Sequence, residues 1–292
     1  MTQQAVRVRG LRKTYGAITA LDGVDLDIQH GEVFGVLGPN GAGKSTTVEI
    51  LQGHRKRNGG DVNVLGRDPA SAGRDWRSRI GIVWQDESAP AELTVEETVR
   101  HFARFYPRPR DPGEVIGLVG LEARAGSRVK ALSGGQRRRL DVALGVIGGP
   151  ELLLLDEPTT GFDPAARRQF WHLIRKLAEE GTTIVLTTHY LEEAEELADR
   201  LAVIASGRLV AEGTPAELRD RYGSSATVHW TEPGGRPRST ETTTPTRTVA
   251  TLMRRFDGEI PGLRIARPTL EDVYLRLSGQ STDRAADGEN AC

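Results

Sequence analysis

Cysteine, lysine and aromatic residues are all scarce in this chain of 292 residues, and long apolar runs are absent from it. The sole cysteine is the last residue, Cys292. It cannot pair within the chain, and a prenylation signal would need it four residues from the end, so it is expected to be inert. The longest apolar stretches, such as Leu152-Leu153-Leu154-Leu155, fall far short of the roughly 20 residues that cross a bilayer. Met1–Arg7 lacks the apolar core of a signal peptide. The chain is therefore expected in the cytoplasm, with any membrane role resting on another polypeptide. A surplus of charge is missing as well. The 39 Lys+Arg against 40 Asp+Glu leave a net charge of -1, with no sustained basic stripe. No nucleic acid is expected as a partner. Arg137-Arg138-Arg139 is the only arginine triplet and is expected to form a solvated helix face. Only five of the 39 cations are lysines, a bias that reflects nucleotide composition more than chemistry and that singles out Lys44.

What is present is a phosphate cradle. Gly38-Pro39-Asn40-Gly41-Ala42-Gly43-Lys44-Ser45-Thr46 completes the pattern G-x-x-x-x-G-K-[ST]. The apolar run 32–37 before it reads as a buried strand, and Lys44–Gln52 after it reads as a helix stopped by Gly53. Strand, glycine loop and helix are the context in which this motif binds phosphate. Gly38, Gly41 and Gly43 let backbone N–H groups converge on an anion, and the helix N-terminus adds partial positive charge. Lys44 would reach β- and γ-phosphates, and Ser45 would hold Mg²⁺.

Strand and helix signals alternate along most of the chain, which predicts a mostly parallel sheet covered on both faces. Short strands are expected at 5–8 and 21–28, separated by Lys13-Thr14-Tyr15-Gly16, and further strands at 62–65 and 80–84. Thr94-Val95-Glu96-Glu97 predicts a capping box opening a helix to about Tyr106, with a second helix over 111–119. This strand-free stretch predicts a helical insert at about 87–148. Helices at 136–147, 165–179 and 191–197 and strands at 151–155 and 182–187 follow, with a closing hairpin at 200–212. From about 219 the Thr/Pro/Arg content weakens the periodicity, leaving a helix at 249–256, a short strand at 263–265 and a helix at 270–277. Residues 279–292 are polar and expected to be disordered.

Two more motifs carry chemistry. Leu152–Leu155 runs directly into Asp156-Glu157-Pro158. In P-loop NTPases an acid at this point holds Mg²⁺, the part for Asp156, and Glu157 can accept a proton from an attacking water. Leu132-Ser133-Gly134-Gly135-Gln136 supplies a capping box, and Ser133 with the 134–135 amides makes a second anion-facing helix terminus.

With residues 38–46, 132–136, 152–157 and His189 of Thr187-Thr188-His189-Tyr190 in this order, the chain resembles ATP-binding cassette (ABC) ATPases over about residues 5–218. The resemblance implies an α/β fold: a P-loop NTPase core of mixed sheet with helices on both faces and a helical subdomain at about 87–148. A small α+β accessory domain would follow at 219–278. It further implies that Tyr15 stacks on adenine and that Gln85 senses Mg²⁺ and water and relays to a membrane partner. Asp163 of Gly161-Phe162-Asp163-Pro164 would cross a dimer interface, and His189 would hydrogen-bond the γ-phosphate. Because one signature closes over the other subunit's ATP, the chain would act as a homodimer on two ATPs with Mg²⁺. Residues 187–195 and 268–277 resemble the exporter branch with separate type-2 (ABC-2) permeases, whose best-known members confer daunorubicin/doxorubicin resistance. That implies a location at the cytoplasmic face of the membrane and export of a drug or other amphipathic molecule. Lipid, glycan and sodium export stay open as alternatives. So does a non-transport ABC ATPase acting on ribosomes or DNA, although such chains usually carry two cassettes or a coiled-coil insert and neither is present here. A P-loop kinase would leave the 132–136 signature unexplained.

Overall fold

The computed structural model describes residues 4–84, 92–223, 225–256 and 258–277, which fall into two compact units, Met1–Glu212 and Gly213–Cys292. The expected domain boundary at 218/219 runs through a helix of the second unit, Pro215–Tyr222. The expected tail at 279–292 lies outside the described residues, as does part of the start of the expected helical insert.

The first unit is built on two sheets. β1 (Gln4–Tyr15), β2 (Ile18–Gln29) and β4 (Gly59–Val64) form an antiparallel sheet in the order β2-β1-β4. The strand expected at 5–8, with 13–16 lying between strands, is longer than expected. The strand instead runs through Tyr15, because Tyr15 pairs with Ile18 across a two-residue turn whose first residue, Gly16, takes a φ of 57°. That is a left-handed conformation in which glycine costs nothing.

The second sheet has six strands in the order β5 (Ile80–Val83), β6 (Leu152–Asp156), β7 (Thr183–Thr188), β3 (Val33–Leu37), β8 (Arg200–Ala205) and β9 (Arg208–Gly213). The pairs from β5 to β8 are all parallel. β3, β6 and β7 are buried along their whole length, as expected for a sheet covered on both faces. The period of two divides the leucines of β6 between two cores. Leu153 and Leu155 face one that includes α3 (Val95–Ala103), α4 (Pro112–Leu118), α5 (Gly134–Val146) and α6 (Pro164–Glu179). Leu152 and Leu154 face a second core with α1 (Lys44–Leu51), α2 (Arg74–Arg77) and the antiparallel sheet. Each fully buried leucine is worth about 2 kcal/mol in transfer free energy. α7 (Leu191–Leu197) follows β7. The reciprocal Thr94–Glu97 capping box at the start of α3 is present as expected.

The second unit contains α8 (Pro215–Tyr222), β10 (Ala226–Thr231), β11 (Pro237–Thr242), α9 (Pro245–Phe256), β12 (Arg264–Ala266) and α10 (Leu270–Leu277). Its sheet is antiparallel, in the order β11-β10-β12. Val228, Leu252 and Ile260 form its small core, with Val249, Trp230 and Phe256 against it. The sequence reading had no counterpart for α8, β10 or β11.

Candidate functional site

Strand register assembles the site. Leu155 lies opposite Leu186 and Asp156 opposite Thr187, while Val36 and Leu37 lie opposite Thr187 and Thr188. The carboxyl ends of β3, β6 and β7 therefore finish level, and the residues that follow them, Gly38, Glu157 and His189, emerge at one edge. Crevices at the carboxyl ends of parallel strands are where open α/β sheets bind ligands.

The loop from β3 to α1 is tightly constrained at two glycines. A Cβ on Gly38 would lie 2.4 Å from the Ile204 carbonyl oxygen. One on Gly43 would lie 2.6 Å from that of Ala20, and Gly43 also has a φ of 108°. No side chain caps α1, so its first-turn N–H groups face the loop. The Lys44 ammonium is buried and donates to the carbonyl oxygens of Gly38 at 2.8 Å and Pro39 at 3.2 Å. A cavity of about 340 Å³ is lined by Asn40, Gly41, Gly43, Lys44, Ser45 and Thr46 together with Ala20 and Glu157. Its donors are backbone amides, one ammonium and hydroxyls, the chemistry of a polyphosphate cradle.

Around this cavity stand the acids and the histidine. Ser45 Oγ donates to Asp156 Oδ1 at 3.1 Å, and Thr187 Oγ1 makes a short hydrogen bond to the same oxygen. Glu157 has a φ of 44°, an uncommon conformation for a non-glycine residue. Its N–H is held by Thr187 Oγ1 at 3.0 Å. That backbone turn lets its carboxylate reach Lys44 Nζ at 3.5 Å with one oxygen and His189 Nδ1 at 3.3 Å with the other. Strain of this kind gathers at functional sites.

Arg138 corrects the sequence reading. The 137–139 triplet was expected to be a solvated face, but Arg138 is only 8% exposed. Its guanidinium donates to the carbonyl oxygens of Trp84, Asp156 (3.0 Å) and Pro158 (3.0 Å). Burial pushes its pKa down, against the opposing pull of Asp141, Asp156 and Glu193. Arg138 thus ties α5 to the ends of β5 and β6. Its apolar neighbours at Leu140 and Val142 were the only hint that this helix turns inward. Glu193 of α7 is likewise fully buried, and its carboxyl is pushed above the usual carboxylate range by desolvation. Nothing in the sequence reading singled it out.

The remaining expected residues lie elsewhere. Ser133 caps α5, its Oγ accepting from Gln136 N at 3.3 Å while Gln136 Oε1 accepts from Ser133 N at 3.0 Å. Asp163 caps α6, accepting from Ala165 N and Ala166 N at 2.9 and 2.8 Å. Tyr15 is partly exposed at the end of β1. Among the described residues, none of Tyr15, Asp163 and Ser133–Gln136 lines the 340 Å³ cavity. Gln85 lies outside the described residues.

Comparison with known proteins assigns the family. A family model described as "ABC transporter" matches residues 21–160, and an AAA-domain model matches 128–193. The chain is 40% identical over 300 residues to the Nod factor export ATP-binding protein I of Ralstonia nicotianae, covering 94% of this chain and 93% of that protein. It is 44% identical over 227 residues to the daunorubicin/doxorubicin resistance ATP-binding protein DrrA of Streptomyces peucetius, covering 76% of this chain and 69% of that one. The chain belongs to the ABC transporter ATP-binding family. Among solved structures, an ATP-binding subunit of an ABC transporter superposes with a TM-score of 0.68 at 28% identity, over 75% of this chain and 93% of the other. A dimeric ATP-binding cassette in a post-hydrolysis state with ADP and Pi gives 0.65 at 28% identity, over 72% and 98%. The first unit accordingly has the ABC ATPase fold, and the chain is an ATPase of a transport system.

Mg²⁺ fits the donors present. Ser45, which lines the cavity, places its Oγ 3.1 Å from Asp156 Oδ1, so two hard oxygens lie side by side. Mg²⁺ usually takes only one or two protein oxygens and completes its shell with water and substrate phosphate. No cluster of three or more His, Cys, Asp or Glu able to hold a metal is present among the described residues. No helix among them is long and apolar enough to cross a membrane.

Proposed function

We propose that this chain is the energising subunit of an ABC-2 type exporter, hydrolysing ATP on behalf of a separate permease at the cytoplasmic face of the membrane. The observation that carries the catalytic part is Glu157, whose two carboxylate oxygens lie within 3.5 Å of Lys44 Nζ and His189 Nδ1 at the mouth of a phosphate cradle. The exporter part is supported by likeness to exporter ATP-binding proteins along nearly the whole chain.

Residues Gly38–Thr46 bind the triphosphate through backbone amides and Lys44, and Tyr15 stacks on the base. Ser45 and Asp156, with Gln85, hold Mg²⁺, which when bound supplies neutralisation of the β- and γ-phosphate oxygens. Once Lys44 turns to the phosphates, Glu157 is released from its ion pair. It accepts the proton of the water that attacks the γ-phosphorus, while the bond to the bridging oxygen breaks. His189 and Lys44 meet the charge that spreads over the transferring group. The nucleotide of one subunit is closed by Ser133, Gly134, Gly135 and Gln136 of the other, and Asp163 lies at the same interface. In this homodimer α5 presents the N-terminus of a 13-residue helix to the partner's ATP. The permease docks at the groove beside the helical insert, where Ile82, Trp84, Phe102, Tyr106 and Leu144 line a cavity of about 270 Å³. Gln85 follows Trp84 directly. The exported molecule belongs to the amphipathic small molecules, with drugs or antibiotics first among them, as relatives named for daunorubicin resistance suggest.

Two measurements test this. Ser133→Arg should abolish turnover yet leave ATP binding to the monomer, and mixing it with Lys44→Ala should restore at most one working site per heterodimer. Normal hydrolysis by each single variant would refute the shared site. For export, the chain and its membrane permease are co-expressed in a sensitive host and growth is measured against amphipathic drugs, with Lys44→Ala as control. Equal sensitivity with an assembled complex would remove the drug assignment.

A further inference from the structure

The base platform is braced by a residue that no motif contains. α1 is followed by the segment 52–58, which folds back on the end of β1. Asn58 Oδ1 accepts from Thr14 N at 2.8 Å, and Asn58 N donates to the Arg12 carbonyl oxygen at 2.8 Å. From this segment Arg55 places its guanidinium 5.2 Å from the centroid of the Tyr15 ring. Its position is fixed from below. Nε makes a short ion pair with Glu49 of α1, and Nη2 donates to the second Glu49 oxygen at 3.1 Å. That two-point fork is the geometry in which arginine is most firmly oriented. Glu49 also holds the guanidinium above its ordinary pKa.

A second cation lies over the same ring: Lys13 Nζ is 5.0 Å from the centroid. It is held quite differently. Among the described residues the Lys13 ammonium has no ion pair or hydrogen bond, and its flexible stem can swing into solvent. A planar base stacking on Tyr15 needs an open ring face, and of the two cations Lys13, which no ion pair holds, is the one free to yield it.

We propose that Arg55 is a positioning residue for nucleotide binding: pinned to the phosphate-loop helix by Glu49, it backs the Tyr15 ring while the base displaces Lys13 and stacks on the ring. This rests on the reading of Tyr15 as the base platform. It gives the loop helix and the base platform a shared anchor, so the phosphate end and the base end of the nucleotide are held in register by one ion pair. The cation–π contact orients a ring that would otherwise be a mobile, partly exposed side chain.

The test compares a ligand with a base, MgADP, and one without, Mg-pyrophosphate, binding to the purified full chain by calorimetry. Arg55→Ala should weaken MgADP by about 3- to 10-fold and leave pyrophosphate within about twofold. Arg55→Lys, which keeps charge but not the fork, should recover part of the loss. Lys13→Ala should stay within about twofold of the native chain for both ligands. Tyr15→Ala should weaken MgADP by about tenfold or more. If Arg55→Ala leaves MgADP unchanged while Tyr15→Ala weakens it, the brace is refuted and the base platform stands. If Arg55→Ala weakens both ligands equally, Arg55 acts on the fold or on general charge and the proposal fails. A loss in Lys13→Ala as large as that in Arg55→Ala overturns the choice of cation. Full MgADP affinity in Tyr15→Ala removes the platform and the brace together.

Discussion

Arg138→Met removes a buried cation while keeping most of its volume, and the structure says what is left behind. Three carbonyl oxygens, those of Trp84, Asp156 and Pro158, lose their charged donor at a site that is 8% exposed in the native chain. Hydrogen bonds to a charged group contribute about 1.5–3 kcal/mol each, so three independent bonds would set a ceiling of about 5–9 kcal/mol. They share one side chain, water can enter after the change, and the desolvation cost of the guanidinium is recovered. About 3–5 kcal/mol of destabilisation is therefore expected. Replacing a buried charged group by an apolar one is often neutral when its partners go too. Here the partners are main-chain atoms and stay, which is why a net loss is expected. Arg138→Lys keeps a point charge able to serve one of the three carbonyls and should lose about half as much.

Thermal unfolding followed by far-ultraviolet circular dichroism reads this directly. For a unit of this size, 3–5 kcal/mol corresponds to a midpoint lowered by about 6–20 °C. ATP turnover measured well below the midpoint should also fall, because the carbonyls released belong to Asp156 and to the residue after Glu157. An Arg138→Met chain within about 1 kcal/mol of the native one would show that these carbonyls do not depend on the guanidinium. The tie between α5 and the strand ends would then be refuted.

Two further outcomes follow from the same geometry. Glu157→Gln keeps shape and hydrogen bonding but cannot accept a proton, so hydrolysis should fall by about 10²–10⁴-fold. ATP binding should persist, with a dimer visible by size-exclusion chromatography in ATP, whereas near-native turnover would remove Glu157 from the role. Glu193, fully buried, has its carboxyl pKa raised by desolvation. Its contribution to stability is then complete below the ordinary carboxylate range and is lost as pH rises through the raised value, because the unfolded chain ionises first. Glu193→Gln, neutral at every pH, should gain stability relative to the native chain across that interval in urea titrations. A stability difference that does not change with pH would refute this.

The site was legible where the chemistry is local in sequence. A glycine loop, a signature and an acid pair each fit within nine residues, and the fully apolar run 152–155 marked the strand that delivers Asp156. What the sequence concealed was set by tertiary context. Arg138 looks like its neighbours Arg137 and Arg139, and only the packing of α5 against β5 distinguishes it. β11 carries no buried residue, so its sequence shows no alternation of apolar and polar positions to read. β10 buries only Ala226 and Val228 in a Thr-rich stretch. α8 did have a signal, the Thr214–Glu217 capping box with Pro215 at the first helical position, hidden by its place just after a strand ending in Gly213.

Arg138 also bears on how two ATP sites could act together. It lies five residues after Ser133, the cap of its 13-residue helix, and its guanidinium grips the carbonyls of Asp156 and Pro158 on either side of Glu157. On the proposed reading, Ser133 serves the partner's nucleotide and Glu157 serves the chain's own. Less than two turns of this helix separate Ser133 from the buried cation that fastens it to the catalytic strand. Any displacement of the signature helix when a dimer closes must therefore move Glu157 or break buried, charge-assisted hydrogen bonds. The second course costs several kcal/mol. The cheaper response is for helix and strand end to move as one body, so that closure over one ATP re-aims the carboxylate at the other.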